Sequence, residues 1–137
     1  MNSRSGSSYR LPNVAEWEYA ARSGGKKEKY SGGNDVDAVA WYGYGKAGKS
    51  THKVGTKQAN GLGLHDMSGN VWEWCSDWYH YYKSSPRNNP QGPSSGSSRV
   101  FRGGCWDDSP RIVRAAYRNR GGPGDRLNDL GFRLFFP

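Results

Sequence analysis

The sequence predicts a single α+β domain that is rich in loops, with few helices and short strands. Twenty glycines and seven prolines in 137 residues indicate many turns rather than a helical bundle. A chain of this length forms one domain with a modest core, and its six tryptophans and nine tyrosines supply apolar volume for that core. We assign residues 9–137 to the domain and the polar residues 1–8 to a flexible N-terminal lead-in.

The clearest helix signal lies near the start of the domain, over about residues 13–23. Asn13 followed three residues later by Glu16 is the pattern of a capping box. Apolar residues then recur on one helical face, namely Val14, Trp17 and Ala21. A pair of glycines at 24–25 ends the run. We therefore expect one helix that packs a single face against the core.

Four segments have the composition of short strands. They are the tryptophan-rich segment 70–79, the segment 98–103, a short strand near 111–118 and a closing strand at 131–136. The segment 83–98 is dense in Pro, Ser, Asn and Gly and is predicted to be a loop. We expect the short strands to pair in an antiparallel manner.

The net charge of +8 suggests anionic partners, but the pattern of charges argues against nucleic acid. The lysines form short clusters rather than a stripe, and no nucleic-acid-binding module is recognisable. Arginines of the last third alternate with four aspartates, which predicts an internal network of ion pairs made with Asp107, Asp108, Asp125 and Asp129. We therefore expect no nucleic acid partner.

No apolar run approaches the roughly 20 residues that a membrane-spanning helix needs, so we expect no membrane insertion. The first residues also lack the apolar segment of a signal peptide. The localisation is open on these grounds, and an extracellular or surface-displayed position is our expectation.

Residues 43–50 match the phosphate-binding loop pattern G-x-x-x-x-G-K-S. Such a loop must lead into a helix whose N-terminus faces the phosphate. Residues 51–56 are rich in β-branched side chains and interrupted by glycine, so no helix is expected there. We interpret the match as accidental and expect no nucleotide site.

Residues 63–74 are the most informative stretch of the chain. Asp66 and Glu73 lie on either side of a turn, and Gly69 can bend the backbone between them. Calcium takes about six to eight oxygens from carboxylates and backbone carbonyls, so the two acids form a candidate calcium site. The alternative is that Asp66 caps the turn and Glu73 pairs with one of the many arginines.

The same stretch resembles the signature of the formylglycine-generating enzyme, or sulfatase-modifying factor, family. The resemblance continues upstream through residues 9–12 and 15–22 and downstream through 99–104 and 130–134, in the family's order. It implies a C-type-lectin-like α+β fold. It also implies a structural calcium ion, held by the side chains of Asp66 and Glu73 and by the backbone carbonyls of Gly69 and Val71.

Catalytic members of this family use two cysteines, shortly after a Gly-Gly pair, to bind copper and the substrate thiol. Here Cys105 directly follows such a pair, and no later cysteine exists. A copper(I) thiolate site needs two soft ligands, so Cys75 would have to supply the second. The two cysteines otherwise form a disulfide or stay as separate buried thiols. We expect no catalytic residues and no copper.

Residues 107–130 contain no Lys, Glu, Gln, Met or Trp, although the other 113 residues contain 22 of them. These five residue types are those that a codon ending in C cannot encode. The remaining set is the one produced when AAC codons are randomised at their adenines. The stretch thus resembles the variable region of diversity-generating retroelement proteins, many of which use this lectin-like domain. The alternative is ordinary drift in a loop-rich family.

The resemblance places the variable region at 105–133. The candidate ligand-binding residues within it are Asp107, Asp108, Ser109, Ile112, Tyr117, Asn119, Arg120, Gly121, Gly122, Asp125, Leu127, Asn128 and Asp129. The framework between them consists of Arg111, Val113, Arg114, Arg118, Pro123, Arg126 and Leu130. A fixed backbone with exchangeable side chains is how antibody loops vary their specificity.

These features predict a non-enzymatic ligand- or receptor-binding protein of a diversity-generating retroelement. Tyr117 is its candidate anchor, and the expected partner is a macromolecule, such as a protein on a cell or virus surface. Two alternatives are a formylglycine-generating-type copper oxidoreductase with altered cysteines and a calcium-stabilised binding module with one fixed partner.

Overall fold

The computed structural model describes residues 6–81 and 92–137. In that part of the chain, helix α1 spans Val14–Ala21 and helix α2 spans Val36–Val39. The strands are β1 at Trp72–Trp78, β2 at Arg99–Arg102, β3 at Arg118–Gly121 and β4 at Leu130–Gly131. They form one small four-stranded sheet in the order β3-β2-β1-β4, and loops make up most of the remainder. The loop-rich α+β fold is confirmed.

The sheet is mixed. Strand β2 pairs antiparallel with both β1 and β3, whereas β1 and β4 run parallel. The expectation of antiparallel strands therefore fails for β4. The reason is the connection, because β3 and β4 lie at opposite edges and the segment between them must cross one face of the sheet before β4 begins.

Helix α1 confirms the predicted capping box. The Asn13 side chain accepts a hydrogen bond from the backbone N–H of Glu16 at 2.8 Å, and the Glu16 carboxylate accepts one from the N–H of Asn13 at 2.9 Å. After the helix ends, residues 23–25 have positive φ, a conformation that glycine adopts at little cost. Trp17 and Ala21 are buried on the predicted face.

One side of the sheet, the α1 side, is fixed to this helix by buried polar contacts. Arg102 of β2 is fully buried, and its Nη2 donates to Glu18 of α1 at 2.8 Å and to the carbonyl of Ala115 at 2.5 Å. Glu73 of β1 accepts a hydrogen bond from the indole of Trp17 at 2.8 Å. The surrounding apolar cluster consists of Trp17, Ala21, Met67, Cys75, Val100 and Ala115. These contacts hold helix and sheet in one relative position.

Helix α2 belongs to a smaller core cluster that also contains Tyr30, Ala40, Tyr42 and Val113. It covers the first two residues of a short apolar run, residues 38–42, for which the sequence indicated no regular element. The helix is only four residues long, and Asp35 caps it by accepting a hydrogen bond from the N–H of Asp37 at 3.1 Å. A single turn of this kind has no helical periodicity to detect.

The predicted strand near 111–118 is wrong. Residues 109–116 form consecutive turns, in which the N–H groups of Ile112 and Val113 both donate to the Ser109 carbonyl, at 3.0 and 3.3 Å. Val113 and Ala115 are fully buried, but they pack into different core clusters rather than onto one face of a sheet. The strand begins only at Arg118.

The closing strand predicted at 131–136 is confirmed only at its first residue. After Gly131 the chain continues to an isolated bridge between Phe135 and Arg10, and the side chains of Phe132, Leu134 and Phe136 are exposed. The predicted loop 83–98 lies outside the described residues as far as position 91, and residues 92–98 form a loop. The predicted lead-in lies outside them over residues 1–5. No helix in the described ranges is long and apolar enough to cross a membrane.

Candidate functional site

The side of the sheet opposite α1 carries a layer of aromatic rings, which we name the aromatic face. Phe101 of β2 contacts the rings of Trp72 and Trp74 edge-on, with centroid distances of 5.0 and 5.3 Å. Tyr117 adds a ring 6.2 Å from Trp72. Trp72 and Phe101 are each only 6% exposed, so this layer is a packed floor rather than an open pocket.

The segment between β3 and β4 crosses this floor. A Cβ atom on Gly121 would lie 2.9 Å from the Phe101 ring and 3.4 Å from that of Trp74, so glycine permits the close approach. The Asp125 carboxylate accepts a hydrogen bond from the N–H of Gly122 at 2.9 Å, and the N–H of Asp125 donates to the carbonyl of Gly122 at 3.0 Å. The crossing is therefore held by one backbone bond and by the Asp125 carboxylate. Gly121 is poorly suited to side-chain exchange.

None of the candidate ligand-binding positions is buried. Seven of the 13 are exposed, namely Asp107, Ser109, Asn119, Arg120, Asp125, Leu127 and Asn128. The other six are partly buried, namely Asp108, Ile112, Tyr117, Gly121, Gly122 and Asp129. Within the same region Val113 and Ala115 have no exposed surface. Of the seven framework residues, however, only Val113 is buried, so exposure is shared by the candidate positions and most of the framework.

The structure brings most of these positions to the aromatic face. Ile112, Tyr117 and the β4 residue Leu130 pack against its core cluster. Asp108 joins the face to the loop at 43–50, because its carbonyl accepts from the N–H of Gly43 at 2.8 Å. Its carboxylate accepts from the N–H of Cys105 at 2.9 Å. The loop at 107–109 is therefore fixed from two sides.

Arg120 is an exception. Successive residues of a strand point to opposite faces, and Gly121 faces the aromatic floor. The Arg120 guanidinium instead lies 4.6 Å from the centroid of Tyr79, beside that of Arg118 at 4.5 Å. Tyr79 packs against the core cluster of the α1 side. Arg120 consequently points away from the other candidate residues.

The expected network of ion pairs between late arginines and aspartates is wrong. The ion pairs of the described ranges join Arg10 to Glu16, Arg22 to Glu18, Lys46 to Asp37, Arg102 to Glu18 and Arg133 to Glu73. None of them involves Asp107, Asp108, Asp125 or Asp129. The alternation of charges along the chain did not reveal this, because the turns of residues 109–116 separate side chains that are close in sequence.

Of the two acids in the predicted calcium site, Asp66 has an oxygen free for a cation, whereas Glu73 already binds an arginine. Asp66 and Glu73 line one cleft of about 460 Å³ and are 8% and 5% exposed. One Asp66 oxygen accepts from the N–H of Gly55 at 2.7 Å, while the other is buried without a partner in the described structure. Such an oxygen fits a cation, because a buried acceptor without a donor is costly.

Glu73, by contrast, already has a cationic partner. Arg133 donates to its two oxygens at 2.9 and 3.1 Å, in addition to the bond from Trp17. Burial lowers the pKa of Arg133, but attraction to Glu73 outweighs burial and raises it overall. A carboxylate has about four lone-pair positions, so Glu73 retains room for one further ligand bond. Both readings of the sequence thus have support, and calcium stays a prediction.

Gly69 and Val71, the predicted backbone ligands, connect the two acids. The Gly69 N–H donates to the Gly103 carbonyl at 2.8 Å, and a Cβ atom at this position would lie 2.2 Å from the Trp41 carbonyl oxygen. This close approach explains the glycine without a metal. The described ranges contain no group of three or more His, Cys, Asp or Glu side chains that could hold an ion.

The two cysteines lie in separate parts of the core. Cys75 belongs to the cluster on the α1 side and Cys105 to the cluster of the aromatic face, and both are free and buried. Burial raises the pKa of both thiols well above its usual range. The described structure thus contains no bond between the two thiols, and the expectation that the chain binds no copper stays a prediction.

The loop at 43–50 does not lead into the helix that a phosphate-binding loop requires. Its Lys46 forms an ion pair with Asp37 at 2.6 Å and donates to the Tyr42 hydroxyl at 2.8 Å. Residues 51–57 contain no helix, as expected. The lysine that the pattern would direct at a phosphate is Lys49, which is exposed and lies with its Nζ 5.9 Å from the centroid of the Tyr44 ring.

Comparisons with known proteins agree with this geometry. The structure of Treponema denticola variable protein 1 superposes with a TM-score of 0.87 at 42% identity, covering 96% of this chain and 49% of that one. The formylglycine-generating enzyme of Streptomyces coelicolor is 40% identical over 142 residues, which cover 90% of this chain and 45% of the enzyme. The serine/threonine-protein kinase pkn1 of Chlamydia caviae is 41% identical over 128 residues, 20% of its length.

The chain thus spans about half the length of the enzyme and of the variable protein. A family model described as the sulfatase-modifying factor enzyme 1-like domain matches residues 2–136. The fold of the formylglycine-generating-enzyme type, the predicted C-type-lectin-like architecture, is confirmed by these matches. The chain therefore belongs to the sulfatase-modifying factor family, and it is similar in sequence and structure to a variable protein.

Proposed function

We propose that this chain is a binding protein of a diversity-generating retroelement, with exchangeable side chains displayed on a fixed lectin-like scaffold. The observation that carries this proposal is the match between composition and burial. The segment that lacks five residue types is also the segment whose candidate positions all reach the surface. Similarity to a protein named a variable protein supports the same function.

The scaffold suits this role physically. Exchange of a surface side chain changes the free energy of unfolding little, whereas exchange of a buried one costs several kcal/mol. The aromatic floor and the bonds from Arg102 to Glu18 lie beneath the exchangeable layer, where they keep the backbone in place. The sequence of the displayed layer can then change without loss of the fold.

The displayed layer provides one aromatic group among polar ones. Tyr117 offers a half-buried ring for a central contact, and Asp107, Asp108 and Asn119 offer polar groups around it. Because the aspartates are free of ion pairs in the described structure, their charges are available to a ligand. The partner is a macromolecule, a protein on a cell or virus surface, and the binding protein is displayed outside the cell.

The copper oxidoreductase is the weaker alternative. Its chemistry requires two thiolates at one copper ion, and the two thiols here are buried in different clusters with raised pKa values. Family members that are enzymes, such as the formylglycine-generating enzyme, supply the only reason to retain it. A calcium-stabilised module with one fixed partner remains the second alternative, and the same experiment separates it from the proposal.

The test is deep sequencing of codons 105–133, together with the flanking DNA, across a natural population. We expect substitutions confined to the candidate codons, an adenine-rich near-copy of the segment and a neighbouring reverse transcriptase gene. A uniform segment without such a copy would contradict the proposal and favour the fixed-partner module.

A further inference from the structure

A second recess adjoins the aromatic face and contains none of the candidate exchangeable residues. It is a cleft of about 430 Å³ on the outer side of the crossing segment, next to its framework residue Pro123. Trp74 and Ser76 of β1 contribute to its lining, together with Leu11, Arg10 and Arg99. Its residues come from four distant segments of the chain, so sequence inspection could not have grouped them.

Arg99 provides the charge of this cleft. Its guanidinium lies 3.6 Å from the ring centroid of Trp78, and its Nη1 donates to the carbonyl of Ser76 at 2.5 Å. These two contacts fix the side chain across β1. No carboxylate in residues 6–81 or 92–137 lies within ion-pair distance of Arg99, and the rest of the chain contains no Asp or Glu. Its positive charge is therefore not neutralised by an ion pair.

Arg10, the other arginine of the cleft, is already neutralised. It forms a two-point ion pair with Glu16, with both bonds at 2.8 Å, and its guanidinium stacks on Phe135 at 4.7 Å. The net positive charge of the cleft thus comes from Arg99. The remaining walls, Trp74, Leu11 and Pro123, are apolar.

We propose that this cleft is a fixed subsite for a carboxylate carried on an aromatic or similarly flat apolar group. A fixed arginine with free N–H groups binds a planar carboxylate well, and the indole of Trp74 offers a surface for the attached ring. The cleft lies beside the exchangeable layer, so in the intact binding protein it would contact the same partner whatever the displayed sequence. The contact with the partner rests on the proposed function, whereas the affinity of the cleft for a carboxylate does not.

The test uses benzoate and its neutral analogue benzamide as probes, followed by proton–nitrogen correlation spectra of the labelled chain. We expect benzoate to shift the Trp74 indole and Arg99 side-chain signals with millimolar affinity, and benzamide to bind at least about fivefold more weakly. Inorganic phosphate should bind at least about fivefold more weakly than benzoate, because it cannot use the apolar wall.

Arg99→Gln should remove the preference for benzoate, and Arg99→Lys should retain part of it. Arg111→Gln, at an exposed arginine outside the cleft, is the matched control and should leave binding unchanged. Equal binding of benzoate and benzamide, or benzoate binding that survives Arg99→Gln in a folded protein, would overturn the subsite. Population sequencing reports on the proposed function separately, so either idea can fail without the other.

Discussion

The two sides of the sheet are built on different principles. On the α1 side, charged and indole side chains from distant parts of the chain bond to one another, as Arg102 does with Glu18 and Glu73 with Trp17. On the aromatic face, the crossing segment is held by local bonds between Gly122 and Asp125 and by the close approach of Gly121 to the rings. A side-chain change should therefore be severe on the α1 side and mild at the exposed positions of the crossing segment.

The largest effect expected is that of Arg102→Ala. This change removes a fully buried side chain together with its bond to Glu18 and the cation above Trp17, which lies 5.1 Å from the guanidinium. Glu18 keeps its ion pair with Arg22, and the loss of so large a buried side chain costs about 2–5 kcal/mol. Urea unfolding should measure a loss of this size, while Arg126→Ala, at an exposed arginine of the crossing segment, should change the free energy of unfolding by less than about 0.5 kcal/mol. Similar losses in the free energy of unfolding for the two variants would contradict the difference between the α1 side and the crossing segment.

Alanine substitutions at Gly69 and at Gly124 test how tightly the backbone is packed at a buried turn and in the crossing segment. Gly69→Ala places a methyl group 2.2 Å from the Trp41 carbonyl oxygen at a φ of +78°, so it should cost at least about 3 kcal/mol. Gly124→Ala, in the crossing segment, meets no atom within 4 Å and should be neutral or slightly stabilising. Paired urea unfolding curves measure both. A well-tolerated alanine at 69 would refute the close contact.

Calcium should sharpen the comparison if it binds beside the α1 side. The partnerless oxygen of Asp66 then gains a ligand bond. Saturating calcium should raise the melting temperature by several degrees, since about 1 kcal/mol shifts it by roughly 2–8 °C in domains of about 60–250 residues. Asp66→Asn should abolish the effect of calcium. Identical melting curves in excess EDTA and in millimolar calcium would exclude the ion.

Acid should weaken the α1 side before the aromatic face. Burial opposes ionisation of Glu18, but Arg102 and Arg22 outweigh it and lower its pKa. A lowered carboxyl pKa stabilises the fold above the unfolded value, about 4.3, and this contribution disappears as the pH falls through the folded pKa. Wild type should thus lose more stability between about pH 5 and pH 3 than Glu18→Gln. Equal acid sensitivity of the two proteins would contradict this assignment.

Local sequence rules predicted the parts of the fold that depend on neighbours in the chain. The capping box of Asn13 and Glu16, the burial of Trp17 and the cores of β1 and β2 all follow from short patterns. The false strand near 111–118 arose because Val113 and Ala115 are buried by different clusters, which no local pattern encodes. The parallel pairing of β4 depends on the path of the crossing segment, which is also a long-range property.

The candidate site was predictable in part. Residue-type bias marked the segment 107–130, the resemblance to variable proteins named the candidate positions within it, and the structure leaves all of them exposed or partly buried. The orientation of Arg120 toward Tyr79 and the close packing of Gly121 on Phe101 required coordinates, because they depend on which face of β3 each residue occupies. The cleft at Arg99 could not be predicted from the sequence either, because its lining residues come from four distant segments of the chain.

The most direct test of a fixed scaffold with an exchangeable surface compares two libraries made with codons ending in C. One randomises five exposed candidate positions, namely Asp107, Ser109, Asn119, Asp125 and Asn128. The other randomises five buried positions, namely Ala21, Met67, Val100, Val113 and Ala115. Sorting for protease resistance should recover most members of the first library and fewer than about one in a hundred of the second. Comparable losses in both libraries would contradict the proposal that this surface evolved for exchange.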